Sequence, residues 1–412
     1  MTNFTPSAEL AEKIARAAIE SAMPMAKVQE ALRKIEQPES CLVIAVGKAA
    51  LQMTEAAGDI WGTSIQTSMV LTNYLPSNLP KDQEILLGNH PIPESESFQA
   101  SRLIWERTAS LSETDTVLFL LSGGGSSLFE FPRIGVSESR LTDWYKRFLS
   151  SGASIREVNS LRPLLSGVKA GRFRNHCEPA AMIQLILSDV LEPDPFWVSS
   201  GPALPYPVLR SEIERILDRY GWSADSELFL NGFPPTLKKD TRDQTIVIGS
   251  LEQALQSAES FAIRSGFRVE RIQAPIIGEA KEAGIILANL AKRKKTQGPL
   301  VLIGGGETTV TLKGDGRGGR NQELVLSFAK EIKGESNLLL LSFGTDGIDG
   351  NSKNAGGFAD GSTWGDLLSS GIDPEIALEN NDSATALEAI GNAFITRPTG
   401  TNVNDIQIIV IA

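Results

Sequence analysis

"TVLFLLSGGGSSL", residues 116–128, is an apolar run that stops abruptly at a serine, three glycines and two further serines. An unbroken apolar run bounded by turn residues is the sequence form of a strand buried on both faces, and such strands belong to largely parallel sheets covered by helices. Similar runs lie on either side, "CLVIAV" at 41–46, "SMVLTN" at 68–73 and "MIQLILSDV" at 182–190, with helix-period segments between them. That alternation is the βαβ grammar of an α/β protein with a Rossmann-like, largely parallel N-terminal sheet.

The pattern breaks and restarts. The stretch 202–243 contains Pro202, Pro205, Pro207, Pro234, Pro235 and the charged run "KKDTRD". It predicts a boundary near residue 237, giving an N-terminal domain at 1–236 and a mixed α/β C-terminal domain at 237–412. The second half resumes with "TIVIGS", "PLVLIGG" and "NLLLLSF", again separated by helical segments. A cleft between the two domains is the expected place for an active site.

With 412 residues, 41% apolar and 22% charged, the chain has the make-up of a soluble globular protein, and no apolar run approaches a membrane span. Its net charge of -11 argues against nucleic acid or an anionic membrane as partner, since both are held by surplus Lys and Arg. Cys41 and Cys177 alone make neither a disulfide framework nor a metal-ligand spacing. The N-terminus reads as an amphipathic helix opening near Ser7 and not as a signal peptide, so the cytoplasm is the expected compartment. The glycosylation patterns at Asn3-Phe4-Thr5 and Asn381-Asp382-Ser383 are then accidental.

Ligands of open α/β sheets collect outside the carboxyl ends of the strands. Polar or glycine-rich residues follow several runs: Gly47-Lys48, Ser122–Ser127, Ser188-Asp189, Gly304–Glu307 and Gly344–Asp346. The turn of Ser122, Gly123, Gly124, Gly125, Ser126 and Ser127 suits an anion, because glycine N–H groups approach a phosphate without Cβ obstruction. Lys48 is placed to neutralise phosphate. Asp189, Asp346 and Asp349 are carboxylates able to hold Mg2+ through water or to accept a hydroxyl proton, although any one of them taken alone reads as an N-cap or turn residue.

Gly314–Gly319 matches GxGxxG, the dinucleotide fingerprint. We expect otherwise here, because "GGGE" reads as a tight turn and "TTVTLK" as the return strand of a hairpin, not as a crossover. Arg320 at the following helix start suggests a fork for carboxylate or phosphate oxygens. His90, in "GNHPIPESES", reads as a loop or helix-entry residue, His176 as a helix-end residue, and the basic scatter of "VKAGRFR" as a solvated face.

Taken together, "VGKAA", "GNHPIPESES", "LLSGGGSSL", "REVNSLRPLLSGVKAGR", "GGETTVTLKGDGRGGRNQE", "GTDGIDG" and "RPTGTNVND" resemble, in order, the glycerate 2-kinase family with a C-terminal MOFRL domain. The resemblance implies ATP-dependent phosphorylation of D-glycerate at its 2-hydroxyl with a divalent cation, commonly Mg2+. It implies active-site roles for Lys48 and Arg320, with Asp189 and Asp346 as catalytic or metal-holding carboxylates. Glu307, Asn321, Thr399 and Asn402 join the glycine turn as cofactor-binding residues, and a homodimer is an assembly open to the family. The alternatives are an NAD(P)H-dependent hydroxypyruvate reductase and a catalytically weakened homologue binding ATP or a hydroxy acid. The sequence departs from the family pattern at Pro163 and Leu164, where a basic residue and a histidine are usual, at Ala203, where Thr is usual, and at Arg397, where Gly is usual.

Overall fold

The computed structural model describes residues 7–75, 83–238, 240–295 and 299–412. Asn3-Phe4-Thr5 lies outside the described residues. The chain forms two compact units, Pro24–Ile248 and a second made of Met1–Met23 with Gly249–Ala412. The unit boundary thus lies beyond residue 237, and the N-terminal helix Ala8–Glu20 belongs with the C-terminal sheet. The anchoring is specific: Ser257 Oγ donates to the Ala17 carbonyl at 3.0 Å and Thr401 Oγ1 to that of Ala22 at 2.6 Å.

The Pro24–Ile248 unit is built on a sheet of β1 (Cys41–Val46), β2 (Ile65–Thr72), β3 (Glu84–Leu87), β4 (Thr116–Leu121), β5 (Ala181–Leu187) and β6 (Gln244–Gly249), in the order β3-β2-β1-β4-β5-β6. Neighbours from β3 through β5 are parallel. β4 and β5 are buried at every residue, as expected for strands covered on both faces. "TIVIGS", expected to open the second half, supplies β6 at the edge of this first sheet.

The proline-rich stretch is ordered in large part by helices. Helices Arg210–Arg219 and Ser226–Leu230 join Glu138–Ser150 around a core in which the Trp144 ring meets Trp222 and Phe229 edge-on, with centroids 5.4 and 4.8 Å apart. "VKAGRFR" is a correction to the sequence reading: Lys169 is 0% and Arg174 2% exposed, because the segment runs through the core. Arg174 is held there by Asp243, 2.6 Å from its Nε. His176 does end a short helix, Arg172–His176, with its ring stacked 3.6 Å from that of Trp105.

The second unit carries β7 (Arg268–Arg271), β8 (Ile276–Glu279), β9 (Leu300–Thr309), β10 (Leu338–Gly344), β11 (Gly356–Asp360), β12 (Ala393–Phe394) and β13 (Asp405–Ile411). Their order is β12-β11-β10-β13-β9-β7, with β8 also pairing β9. β7 and β8 run parallel to β9, while the β9-β13, β13-β10, β10-β11 and β11-β12 pairs are antiparallel. "LVLIGGGETT" is one continuous strand, which overturns the expected hairpin. Gly304, Gly305 and Gly306 sit opposite Gln407, Ile406 and Asp405 of β13. A Cβ at Gly306 would collide with the Ile276 backbone of β8, so the glycines admit close partners on both edges. Among the described residues, no helix is long and apolar enough to cross a membrane.

Candidate active site

The strand order of the first sheet reverses between β1 and β4, since β2 and β3 extend to one side and β5 and β6 to the other. At such a switch point the loops after adjacent strands diverge and leave a crevice at their carboxyl ends. The residues there are Gly47-Lys48 after β1 and the Ser122–Ser127 turn after β4.

Short bonds stitch the two loops together. Ser122 N–H donates to the Val46 carbonyl at 2.9 Å, Lys48 N–H to that of Gly123 at 3.0 Å, and Ala49 N–H to Ser122 Oγ at 3.1 Å. The Ser122 hydroxyl is therefore spent on the scaffold. Gly47 has φ +118°, and a Cβ there would strike Ser122. Gly123 lies directly against the Asp189 carboxylate, and Gly125 against Ser199 Oγ. Gly124, at φ +88°, is the open point of the turn: a Cβ would lie 3.4 Å from the His90 ring and 3.5 Å from Lys48. Lys48 is exposed, and Ser127, 2% exposed, turns its hydroxyl towards the Gly124 carbonyl.

Lys48, the glycine turn and Asp189 therefore come together. The sequence reading missed His90 and Ser199 as neighbours of this turn. Desolvation, with the charges of Lys48 and Arg162, holds the His90 imidazole below its ordinary range. Ser199 adopts φ +54°, followed by Ser200 at +58° and Gly201 at +58°. Left-handed serines leave no periodic signal; only the "SGP" run itself could have flagged them. Pro163 and Leu164 are buried, and their carbonyls accept from Arg172 at 3.0 Å and Arg133 at 2.8 Å, respectively.

In the second unit, Arg320 is the first residue of the helix Arg320–Glu331. Its guanidinium straddles Asp405, with Nε to Oδ2 at 2.5 Å and Nη2 to Oδ1 at 3.0 Å, while Nη1 reaches Glu307 at 2.9 Å. Burial works against this cation, but the bonds and charges of Asp405, Glu307 and Asp349 raise its pKa further. Asp405, 1% exposed, is pushed up to about 6 by burial against the pull of Arg320. Asp349 caps the same helix, accepting the N–H groups of Asn321 at 3.1 Å and Gln322 at 2.8 Å. Burial nonetheless pushes its carboxyl up to about 7.

Arg320 lies on a cavity of about 570 Å³ that Thr308, Glu323, Asp346, Asp349 and Asn381 also line. Asp346 Oδ1 accepts the Ile348 N–H at 3.1 Å. Asn321, 1% exposed, is turned inward, accepting from Ser342 Oγ at 2.6 Å. Thr399 donates its hydroxyl to the Thr345 carbonyl at 2.7 Å, and Asn402 Oδ1 accepts the Asn404 N–H at 3.1 Å, so both brace the loop before β13. Arg397 holds φ +63°, a conformation that glycine adopts without strain. Asn381 is 4% exposed, which leaves its sequon inaccessible.

The glycines of 314–319 are filled by protein. A Cβ on Gly314 or Gly316 would meet Asn380, on Gly318 Ser383, and on Gly319 Asp349. A dinucleotide turn needs that space for pyrophosphate. Among the described residues, no three His, Cys, Asp or Glu side chains gather at metal-binding spacing.

A sheet of order β3-β2-β1-β4-β5-β6 with a glycine turn at its switch point, joined in one chain to a second mixed sheet, defines a Rossmann-like α/β protein. A family model described as a domain of unknown function, DUF4147, matches residues 10–228, and the MOFRL family model matches residues 300–405. The chain belongs to the glycerate 2-kinase family with a C-terminal MOFRL domain. It is 41% identical to the D-glycerate 2-kinase of Thermotoga maritima, over 97% of each chain. The crystal structure of glycerate kinase from that organism superposes with a TM-score of 0.89, at 41% identity, over 98% of this chain and 99% of the other. A protein of Agrobacterium vitis provisionally named a hydroxypyruvate reductase is 36% identical over 90% of this chain and 99% of its own.

Proposed function

We propose that the protein transfers a phosphoryl group from ATP to the 2-hydroxyl of D-glycerate, giving 2-phosphoglycerate. The observation that carries this reading is the convergence of Lys48, the open Gly124 and Asp189 on the switch-point turn, in a chain similar throughout its length to D-glycerate 2-kinase. Phosphoryl transfer has a loose, anionic transition state, so it needs positioning and charge neutralisation more than covalent help. Lys48 and the exposed face of the Ser122–Ser127 turn supply cation and N–H donors for nucleotide phosphates. Asp189 and Asp346 are the carboxylates assigned to Mg2+ or to the proton of the attacking hydroxyl.

Mg2+ is usually held by few carboxylates plus phosphate oxygens and water, and Asp189, whose carboxylate lies against Gly123 of the turn, is the residue of this unit that would hold it. When bound, the ion would neutralise charge on the phosphates. Arg320 is assigned to an anionic oxygen of substrate or phosphoryl group, using the N–H groups that Asp405 and Glu307 leave unoccupied or displacing the half-exposed Glu307. Glu307, Asn321, Thr399 and Asn402 line or brace that region. The enzyme is read as cytoplasmic, without a nucleic-acid partner, and a homodimer is the assembly to test by mass measurement.

One coupled assay of ADP release across a panel of small hydroxy acids tests the reading. D-glycerate should be turned over with ATP and Mg2+, and NAD(P)H should not be oxidised with hydroxypyruvate. Reductase activity without ADP release would overturn the proposal. Tight binding of ATP or glycerate without turnover would favour the weakened homologue.

A further inference from the structure

Arg162 is 7% exposed and follows the helix Ile155–Leu161 in a short 3-10 turn. Its Nη1 donates to Asn159 Oδ1 at 3.1 Å, and its guanidinium carbon lies 4.7 Å from the centre of the Tyr145 ring. Its Nε is buried without an acceptor. No carboxylate of the described residues lies within ion-pairing distance of it. The acid of this neighbourhood, Glu130, is fully engaged: Lys169 Nζ lies 2.9 Å from Oε2, the Tyr145 hydroxyl 2.8 Å from the same oxygen, and Ser166 Oγ donates to Oε1 at 2.5 Å. Lys169 and Glu130 cancel, which leaves the Arg162 charge surplus. A buried cation without a counter-ion is costly and calls for a compensating anion.

Its position says where that anion belongs. The Tyr145 hydroxyl under Arg162 is also 3.0 Å from the Ser126 carbonyl of the glycine turn. The charge of Arg162 reaches His90, whose ring lies beside Gly124 together with Lys48. Arg162, His90 and Lys48 thus surround one turn, and none of them has a carboxylate ion-pair partner among the described residues.

We propose that Arg162 is an anion-binding residue of the switch-point site, taking phosphate or carboxylate oxygens of a bound reactant behind the Ser122–Ser127 turn. This rests on the reading of that turn as a reactant-binding site. A purely structural arginine, stacked on Tyr145 and bonded to Asn159, would stabilise the fold and leave ligand affinity alone.

The full-length wild type, Arg162→Gln and Arg162→Lys are titrated calorimetrically with inorganic pyrophosphate and, separately, with D-glycerate, and each is melted with and without ligand. Arg162→Gln should weaken binding of one probe by about 10- to 100-fold, with the ligand-free Tm unchanged or raised. Arg162→Lys, retaining charge without the planar fork, should weaken the same probe by about tenfold, and it keeps the test intact if the glutamine variant does not fold. Loss confined to pyrophosphate assigns a phosphate group; loss confined to D-glycerate assigns a carboxylate. Affinities within about twofold of wild type for both probes overturn the inference, as does a wild type that binds neither. Absence of ADP release by the wild type with ATP and D-glycerate would count against the kinase reading alone, because the titrations are read without turnover.

Discussion

Gly123–Gly125 and Gly304–Gly306 are the same three letters after the same kind of apolar run, yet the chain turns at the first and runs straight on through the second. The neighbours of β4 stop level with it, Val46 of β1 opposite Leu121 and β5 ending at Leu187, so no ladder carries the glycines on, and the carbonyls of Val46 and Gly123 close the loop onto β1 instead. In β9 all three glycines pair with β13, and Gly306 pairs on the other edge with β8, whose ladder carries extended pairing on to Thr309. The cations differ in parallel. Arg320 is clamped by Asp405 and Glu307, while Lys48 and Arg162 have no ion-paired acid among the described residues. One region holds its charge in reserve inside a finished network; the other is incomplete without an anion.

The largest expected effect falls on the two cations assigned to chemistry. Lys48→Ala and Arg320→Ala should each lower kcat/KM by about 10²-fold or more, read in the coupled ADP-release assay on folded variants. Near-wild-type kinetics would remove that residue from the mechanism.

The glycine contrast can be broken next. Gly316→Ala forces a Cβ into the Asn380 backbone and should destabilise by about 2 kcal/mol, seen as a shifted denaturation midpoint. Gly124→Ala keeps ordinary contact distances but strains a left-handed backbone by about 1–2 kcal/mol. It should also cut kcat/KM by about tenfold by moving Lys48. Activity loss from Gly316→Ala with unchanged stability would reverse the assignment of open and filled turns.

A smaller effect follows from the buried acids. Asp349 at about 7 and Asp405 at about 6 bind protons more tightly folded than unfolded, where a carboxyl titrates near its ordinary value. Their contribution to stability is therefore full below about pH 4 and falls as pH rises through about 7. Asp349→Asn should flatten that slope in urea midpoints measured from pH 4 to 8; an unchanged slope would show that the carboxylate is ionised throughout. The smallest expected effect belongs to Ser122→Ala, which removes the acceptor for Ala49 N–H. It should cost about 1 kcal/mol in stability while leaving kcat/KM within about threefold, since the hydroxyl is scaffold and not a ligand group.

The central strands were legible in the sequence because a strand covered on both faces must be apolar at nearly every position, and "TVLFLL" or "LLLLSF" has no other economical use, whereas the short strands β3, β8 and β11 were not. The strand-end turn at Ser122–Ser127, Lys48 and the helix opened by Arg320 followed from the same local rules. What local rules do not contain is the filling of space by distant segments. Only the tertiary structure decided that "GGGE" continues a strand, that Gly314–Gly319 is packed against residues 380–384 and, at Gly319, Asp349, and that β6 closes the first sheet. It alone showed that "VKAGRFR" lies within the core and that Arg162 is buried with no ion-paired acid among the described residues. Periodicity reports which face of an element is apolar, whereas the partner of a glycine or of a buried charge is set by chain that returns from far away in sequence.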